Sequence, residues 1–151
     1  TNLLKKVLLD PSLSISDSHR AFQAVALWDG YLTLERVFTT NFDYLIERTF
    51  DKRAAPITRR NTRDIDAIRR DHRMSVIHLH GTLEEDDGYV LTEKDVYAEA
   101  ATNLFGCFIS ALSNADAFVF VGYSLSDPDF KRIYHKWRES IEKRGENDKF
   151  T

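Results

Sequence analysis

Three short apolar runs, each breaking off into polar residues and each followed by a helical pattern, set the narrowest limits on this chain. They are "RVFTTNFD" (36–43), "VIHLHG" (76–81) and "AFVFVG" (117–122). The third is continuously apolar and rich in β-formers, which predicts a strand covered on both faces, as in a parallel sheet. Strands alternating with helices imply an α/β fold, Rossmann-like, with a mostly parallel sheet flanked by helices and right-handed crossovers.

The intervening segments read as helices. One is predicted from about Asp17 to Asp29, with Phe22, Val25 and Ala26 on one face and Gly30 as its stop. "YLIERTFDKR" follows the first strand, with Ile46 and Phe50 four apart. Residues 91–116 read as one long helix or two, with Thr92 as N-cap, Asp95 three residues on, and Cys107 inside. After the third strand, Asp127, Pro128 and Asp129 suit a helix start. Phe130, Ile133, Tyr134, Trp137 and Ile141 then repeat at helical spacing up to Gly145, a packing stripe rather than a cofactor box.

A chain of 151 residues suits one domain, here taken as 1–151, burying roughly 70% of its unfolded surface. It opens on Thr1 rather than methionine, and "TNLLKKVLLDPSLSIS" offers no strand partner, so an excerpt of a longer protein is expected. The net charge of −3 gives no basic field for nucleic acid. The arginines of "ITRRNTRDIDAIRRDHR" are diluted by Asp64, Asp66 and Asp71, which reads as a solvated helix face. No apolar run approaches the ~18 residues of a membrane span, and no signal peptide is visible. One cysteine, Cys107, excludes an internal disulfide and a cysteine-built zinc site, which fits a reducing, cytoplasmic setting.

Ligands of parallel α/β sheets bind outside the carboxyl ends of the strands. Each predicted strand places polar residues there: Thr39, Thr40, Asn41 and Asp43; His80 and Gly81; Gly122, Ser124, Ser126 and Asp127. Packing does not require polar clusters at one edge after every strand, so these residues form the candidate site. Asn41 can donate and accept hydrogen bonds, and His80 can serve as a general base near neutral pH. Asp43 reads both as a helix cap and as a ligand contact. A strand would put His78 and His80 on one face, but two histidines beside the acidic turn "EEDDG" do not make a metal site, and His78 is read as structural. The six glycines contain no G-x-G pair, so no dinucleotide fingerprint is present. No nucleophile stands out, which favours hydrolysis or group transfer by water or a substrate hydroxyl.

The three strand ends resemble the sirtuin-like family of NAD-consuming domains. "TTNFD" (39–43) is similar to its T-x-N-x-D stretch, "LHG" (79–81) to its His-Gly, and "GYSLSDPDF" (122–130) to its G-x-S-L loop, in the same order over about residues 36–135. The resemblance implies an incomplete sirtuin-like domain with NAD+ as substrate. Asn41 would order the nicotinamide ribose and the attacking water, and His80 would be the general base. Phe42 and Asp43 would line the nicotinamide pocket, Gly122 and Ser124 would contact the adenosine half, and Thr40 and Leu125 would be further NAD-binding residues. The four-cysteine zinc module of the deacylases cannot be built from one cysteine. The implied activity is therefore NAD+ glycohydrolysis without zinc, as in the bacterial antiphage branch, with acyl-lysine chemistry disfavoured. A glycine-rich pyrophosphate loop would either precede Thr1 or be lost. Expected partners are NAD, further domains of a longer effector or a homo-oligomer, with no nucleic acid or membrane. The rival reading is a non-catalytic NAD or ADP-ribose binding module, or an assembly scaffold.

Overall fold

The computed structural model describes residues 13–28, 31–58, 60–62, 65–83, 103–115, 117–123, 130–131, 134–135 and 137–139. The chain divides into two compact units, Thr1–Leu104 and Phe105–Thr151.

In the first unit, helix α1 (Asp17–Ala26) leads into a small antiparallel pair, β1 (Leu27–Trp28) with β2 (Tyr31–Leu32). Strand β3 (Arg36–Thr39) then precedes α2 (Leu45–Phe50), a 3-10 turn (Asp51–Arg53), β4 (Ala54–Ile57), α3 (Ile65–Arg70) and β5 (Met74–His78). The three longer strands form a parallel sheet in the order β3-β5-β4. This is the Rossmann-like α/β arrangement expected. All five residues of β5 are buried, so the central strand is covered on both faces.

Along a strand, alternate residues share a face. Met74 and Val76 project into a cluster with Ala26, Phe50 and Ala54, against which Phe22, Leu27, Leu34, Val37 and Ile46 pack. Phe22 meets Phe50 edge to face at 5.5 Å, an arrangement that suits the quadrupoles of two rings. The expected pairing of Ile46 with Phe50 on the inner side of α2 is present, and it ties the helix to β5. His78 occupies the next position of the same face.

Several expectations need correction. Helix α1 stops at Ala26, three residues before Asp29, because Leu27–Trp28 pair with Tyr31–Leu32. The Ala26 carbonyl accepts hydrogen bonds from both the backbone N–H and the hydroxyl of Thr33, each at 2.9 Å, which closes the helix end. Gly30, read as the helix stop, lies outside the described residues. Val25, assigned to the inner face, is 76% exposed. Strand β4 was not anticipated, since Pro56 argues against a strand. Its position at one side of the three strands removes the objection, because an edge tolerates a residue without an N–H. The arginine-rich segment contributes only the short α3, where Ile68 is buried and Arg70 exposed, in keeping with a solvated face.

Helix α4 (Asn103–Asn114), which begins at the end of the first unit and continues into the second, buries Leu104, Phe108, Ala111 and Leu112 at helical spacing and carries the half-buried Cys107. Residues 117–121 form no strand, contrary to the clearest sequence prediction. Exposure alternates instead: Val119 and Val121 are 78% and 72% exposed, whereas Phe118 and Phe120 are turned inward. Apolar composition favours an extended, covered segment, but a strand also needs a regular hydrogen-bonded ladder, which composition does not specify. The phenylalanines join a run of ring contacts, Phe108–Phe118 at 5.8 Å, Phe120–Phe130 at 5.1 Å and Tyr134–Trp137 at 5.5 Å. Phe130, Tyr134 and Trp137 are helical, with Phe130 and Trp137 buried, as the packing stripe predicts. Thr92, Asp95, Asp127, Pro128, Asp129, Ile133, Ile141 and Gly145 lie outside the described residues. Among the described residues, no helix is long and apolar enough to cross a membrane.

The core assignment predicts that Met74→Ala lowers unfolding stability by about 2–5 kcal/mol, as expected for deleting a buried side chain. Val25→Ala should change it by less than about 0.5 kcal/mol. Urea unfolding followed by circular dichroism measures both.

Candidate functional site

The register of the parallel sheet brings two of the motifs together. Thr39 lies opposite His78, so β3 and β5 run out at one edge and the residues after each emerge side by side. The Leu79 N–H donates to the Thr39 carbonyl at 2.9 Å, extending the ladder by one bond. Beyond it the two chains diverge into turns.

The turn after β3 is held by side chains. The Asn41 N–H donates to Thr39 Oγ1 at 3.1 Å, and the Leu45 N–H donates to Asp43 Oδ1 at 3.0 Å. Asp43 thus leads the chain into α2 through an Asx turn and satisfies one of the helix's unpaired N–H groups. The N-cap itself is Tyr44, so Asp43, expected as the N-cap, stands one residue earlier and caps the helix from there. Asn41 is exposed, and Thr40, Phe42 and Asp43 are half-buried.

The turn after β5 differs from expectation. The strand ends at His78 rather than His80, and the Gly81 N–H donates back to the His78 carbonyl at 3.1 Å. Gly81 has φ 77°, a left-handed conformation that glycine adopts without a Cβ penalty. The turn separates the two histidines that a continued strand would have placed on one face. His80 is half-buried, and its ring lies 6.4 Å from that of Phe42, centroid to centroid, tilted by 39°. The Leu83 N–H donates to the Phe42 carbonyl at 3.3 Å, and the Tyr44 hydroxyl donates to Thr82 Oγ1 at 3.0 Å, lacing the two turns together.

His78 is 0% exposed. Its Nδ1 lies 3.0 Å from the Asn41 carbonyl oxygen and its Nε2 2.7 Å from Glu47 Oε1 on α2. Both ring nitrogens are therefore engaged, which bears out the structural reading. Glu47 was missed in the sequence. Its one signal is position: it stands three residues before Phe50, and both are buried on α2 together with Thr49. Among the described residues, no three histidine, cysteine or acidic side chains are arranged to hold a metal ion.

Thr40, Asn41, Phe42, Asp43 and His80 thus share one sheet edge. Gly122 belongs to the second unit, where it is exposed with φ 63° and open space around its Cβ position. Ser124 and Leu125 lie outside the described residues.

The family model of the SIR2-like domain matches residues 35–150, a span that starts beside β3 and includes all three motifs. The chain belongs to this family. Among characterised relatives, NAD(+) hydrolase ThsA of Enterococcus faecium is 26% identical over 138 residues, covering 87% of this chain and 27% of that protein. The protein of the same name from Acinetobacter baumannii (strain 532279) is 30% identical over 115 residues, 74% of this chain and 23% of the relative. That of Cytobacillus dafuensis is 29% identical over 119 residues, 77% and 24% respectively. The chain spans about a quarter of the length of these relatives. Its place in the SIR2-like family accords with the parallel sheet and with the order of the motifs along it.

If Gly81 is what turns the chain at His80, Gly81→Ala should destabilise the fold by about 1–2 kcal/mol through its left-handed φ. The change should appear as a lower urea midpoint at an unaltered slope.

Proposed function

We propose that the protein carrying this SIR2-like domain hydrolyses the bond between nicotinamide and ribose in NAD+, giving nicotinamide and ADP-ribose. The observation that carries this reading is the pairing of Thr39 with His78, which sets Asn41, Phe42 and His80 at one edge of a parallel sheet. The hydrolase activity named for the relatives supports it.

The chemistry follows from the groups present. Nicotinamide is a neutral leaving group, so scission of its bond to C1′ leaves positive charge on the ribose, in an oxocarbenium-like transition state. The Asn41 amide can accept from a ribose hydroxyl or water while donating to another oxygen, which fixes the attack geometry. His80 takes the proton released as water, or a ribose hydroxyl, becomes the nucleophile. The Phe42 ring offers a flat apolar wall beside His80, suited to a heteroaromatic base. Asp43 Oδ2 would receive the carboxamide N–H groups while Oδ1 keeps its hydrogen bond to Leu45. Thr40 joins this group of NAD-binding residues, while for Gly122, Ser124 and Leu125 a role in binding NAD rests on the resemblance of their motif alone.

By analogy with the zinc-less bacterial branch, the biological role is depletion of cytoplasmic NAD in antiphage defence. The relatives are more than three times as long as this chain, and further domains or self-association would supply the control such an activity needs.

Nicotinamide release from NAD+, followed by chromatography on the full natural chain, tests the assignment. His80→Ala and Asn41→Ala should each reduce it by about a hundredfold or more while the protein stays folded. Equal rates in His80→Ala would remove this residue as the base. No release from any form, with NAD still bound, would replace the hydrolase by a binding module.

A further inference from the structure

The pair formed by Glu47 and His78 lies outside the chemistry assigned above, and packing alone gives no reason for it. Met74 and Val76, on the same face of β5, are apolar and fully buried, and a third apolar residue would fill the position of His78 equally well. A buried charged or polar pair is generally no more stable than an apolar pair of like volume. Here the balance is poorer still, because Glu47 Oε2 is buried with no hydrogen-bond partner among the described residues. Stability does not account for the arrangement.

Hydrogen-bond direction supplies the reason. A backbone carbonyl can only accept, so the 3.0 Å contact with the Asn41 oxygen requires a proton on His78 Nδ1. The 2.7 Å contact between Nε2 and Glu47 Oε1 holds one further proton between imidazole and carboxylate. The pair is therefore neutral as a unit, with its Nδ1–H aimed out of the core at the turn. The Tyr44 ring stands edge-on to the imidazole at 5.3 Å and limits its rotation. The Asn41 amide N–H is meanwhile held by Thr39 Oγ1. The backbone of Asn41 is thus gripped on its N–H by the end of β3 and on its carbonyl by the end of β5.

We propose that Glu47 and His78 are positioning residues, which fix the turn carrying Asn41, Phe42 and Asp43 by locking an imidazole N–H onto the Asn41 carbonyl. The proposal rests on the role assigned to Asn41 for its effect on turnover, but not for its effect on the turn itself. Glu47 sets the orientation of the ring, and His78 passes it to the backbone. Neither touches substrate.

Two measurements on the full natural chain test this. The first, hydrogen–deuterium exchange read by mass spectrometry, needs no turnover. In His78→Phe and Glu47→Leu, amides of residues 40–45 should lose protection while those of β4 and α3 keep it. Glu47→Gln, whose amide can still donate to Nε2, should restore the natural pattern. Unchanged protection of 40–45 in His78→Phe and Glu47→Leu would overturn the proposal, as would equal loss across the fold.

The second measurement compares two substitutions that divide the functions of the ring. His78→Asn keeps an N–H donor near the place of Nδ1, whereas His78→Gln reaches toward Glu47 and loses the contact with Asn41. His78→Gln should lower kcat for nicotinamide release by about a hundredfold with KM for NAD changed less than about threefold. His78→Asn should retain most of the natural rate. Equal rates in the two, at matching melting temperatures, would overturn the proposal. Failure of the hydrolase reading itself shows separately, as no release by the natural protein or undiminished release by His80→Ala, and the exchange experiment then decides. Where His78→Phe does not fold, the Asn and Gln variants carry the exchange comparison too, with loss of protection at 40–45 expected in His78→Gln alone and its absence there overturning the proposal.

Discussion

Thr39 opposite His78 is the constraint on which the rest of the site depends. Parallel strands must end together to expose a common edge, and a shift of one residue in either would send its side chains to the opposite face. In the register present, Val37 of β3 meets Val76 and Thr39 meets His78, so on this face an apolar pair is followed by a buried polar pair at the end of the ladder. β4 follows the same course, with Ile57 level with Ile77. Hydrophobic burial deeper in the sheet therefore fixes where the polar edge falls. The residues after it need only short turns to come side by side.

Those turns are rigid because side chains replace the ladder where it stops. Thr39 Oγ1 and Asp43 Oδ1 accept the N–H groups of Asn41 and Leu45, which would otherwise have no strand or helix partner. Tyr44 and Thr82 bridge the turn after β3 to the one after β5. The function proposed above would draw on this preorganisation, since a loose loop would have to be ordered anew each time a ligand bound. His78 and Glu47 extend the same logic inward, linking α2, β5 and the Asn41 backbone in one chain of hydrogen bonds.

How much of this was legible in the sequence varied with the range of the interaction. β3, β5, α2 and the stripe of Phe130, Tyr134 and Trp137 follow from local periodicity, because each buries a face whose spacing is written in a few residues. The hairpin at Leu27–Leu32 was lost to an equally local alternative, a glycine that also ends helices. β4 is four residues with a proline, and only its edge position, a property of the whole sheet, makes it a strand. Residues 117–121 failed in the opposite direction: their composition satisfies a buried strand, but pairing depends on a neighbour that composition does not specify. The SIR2-like motifs were readable because they are short, ordered and placed at strand ends. Glu47 was not, since a glutamate in a helix is ordinarily solvated, and its burial follows only from a histidine 31 positions away in the chain.

The two histidines of "IHLHG" show how one strand end can serve both ends of this argument. Alternation alone would give them the same face and the same surroundings. The ladder instead stops at His78, whose carbonyl is taken by the Gly81 N–H, and the left-handed φ of Gly81 lets the chain fold back there. His78 keeps the strand's inward direction and meets Glu47 in the core. His80, two residues later, is carried to the edge beside Phe42. A histidine in the core with both ring nitrogens hydrogen-bonded holds its neighbours in place, whereas the one at the edge stands beside the residues of the candidate site. The glycine after the second histidine therefore does more than permit close approach. By ending the strand between them, it divides the pair into one histidine held in the core by Glu47 and one carried to the edge beside Phe42.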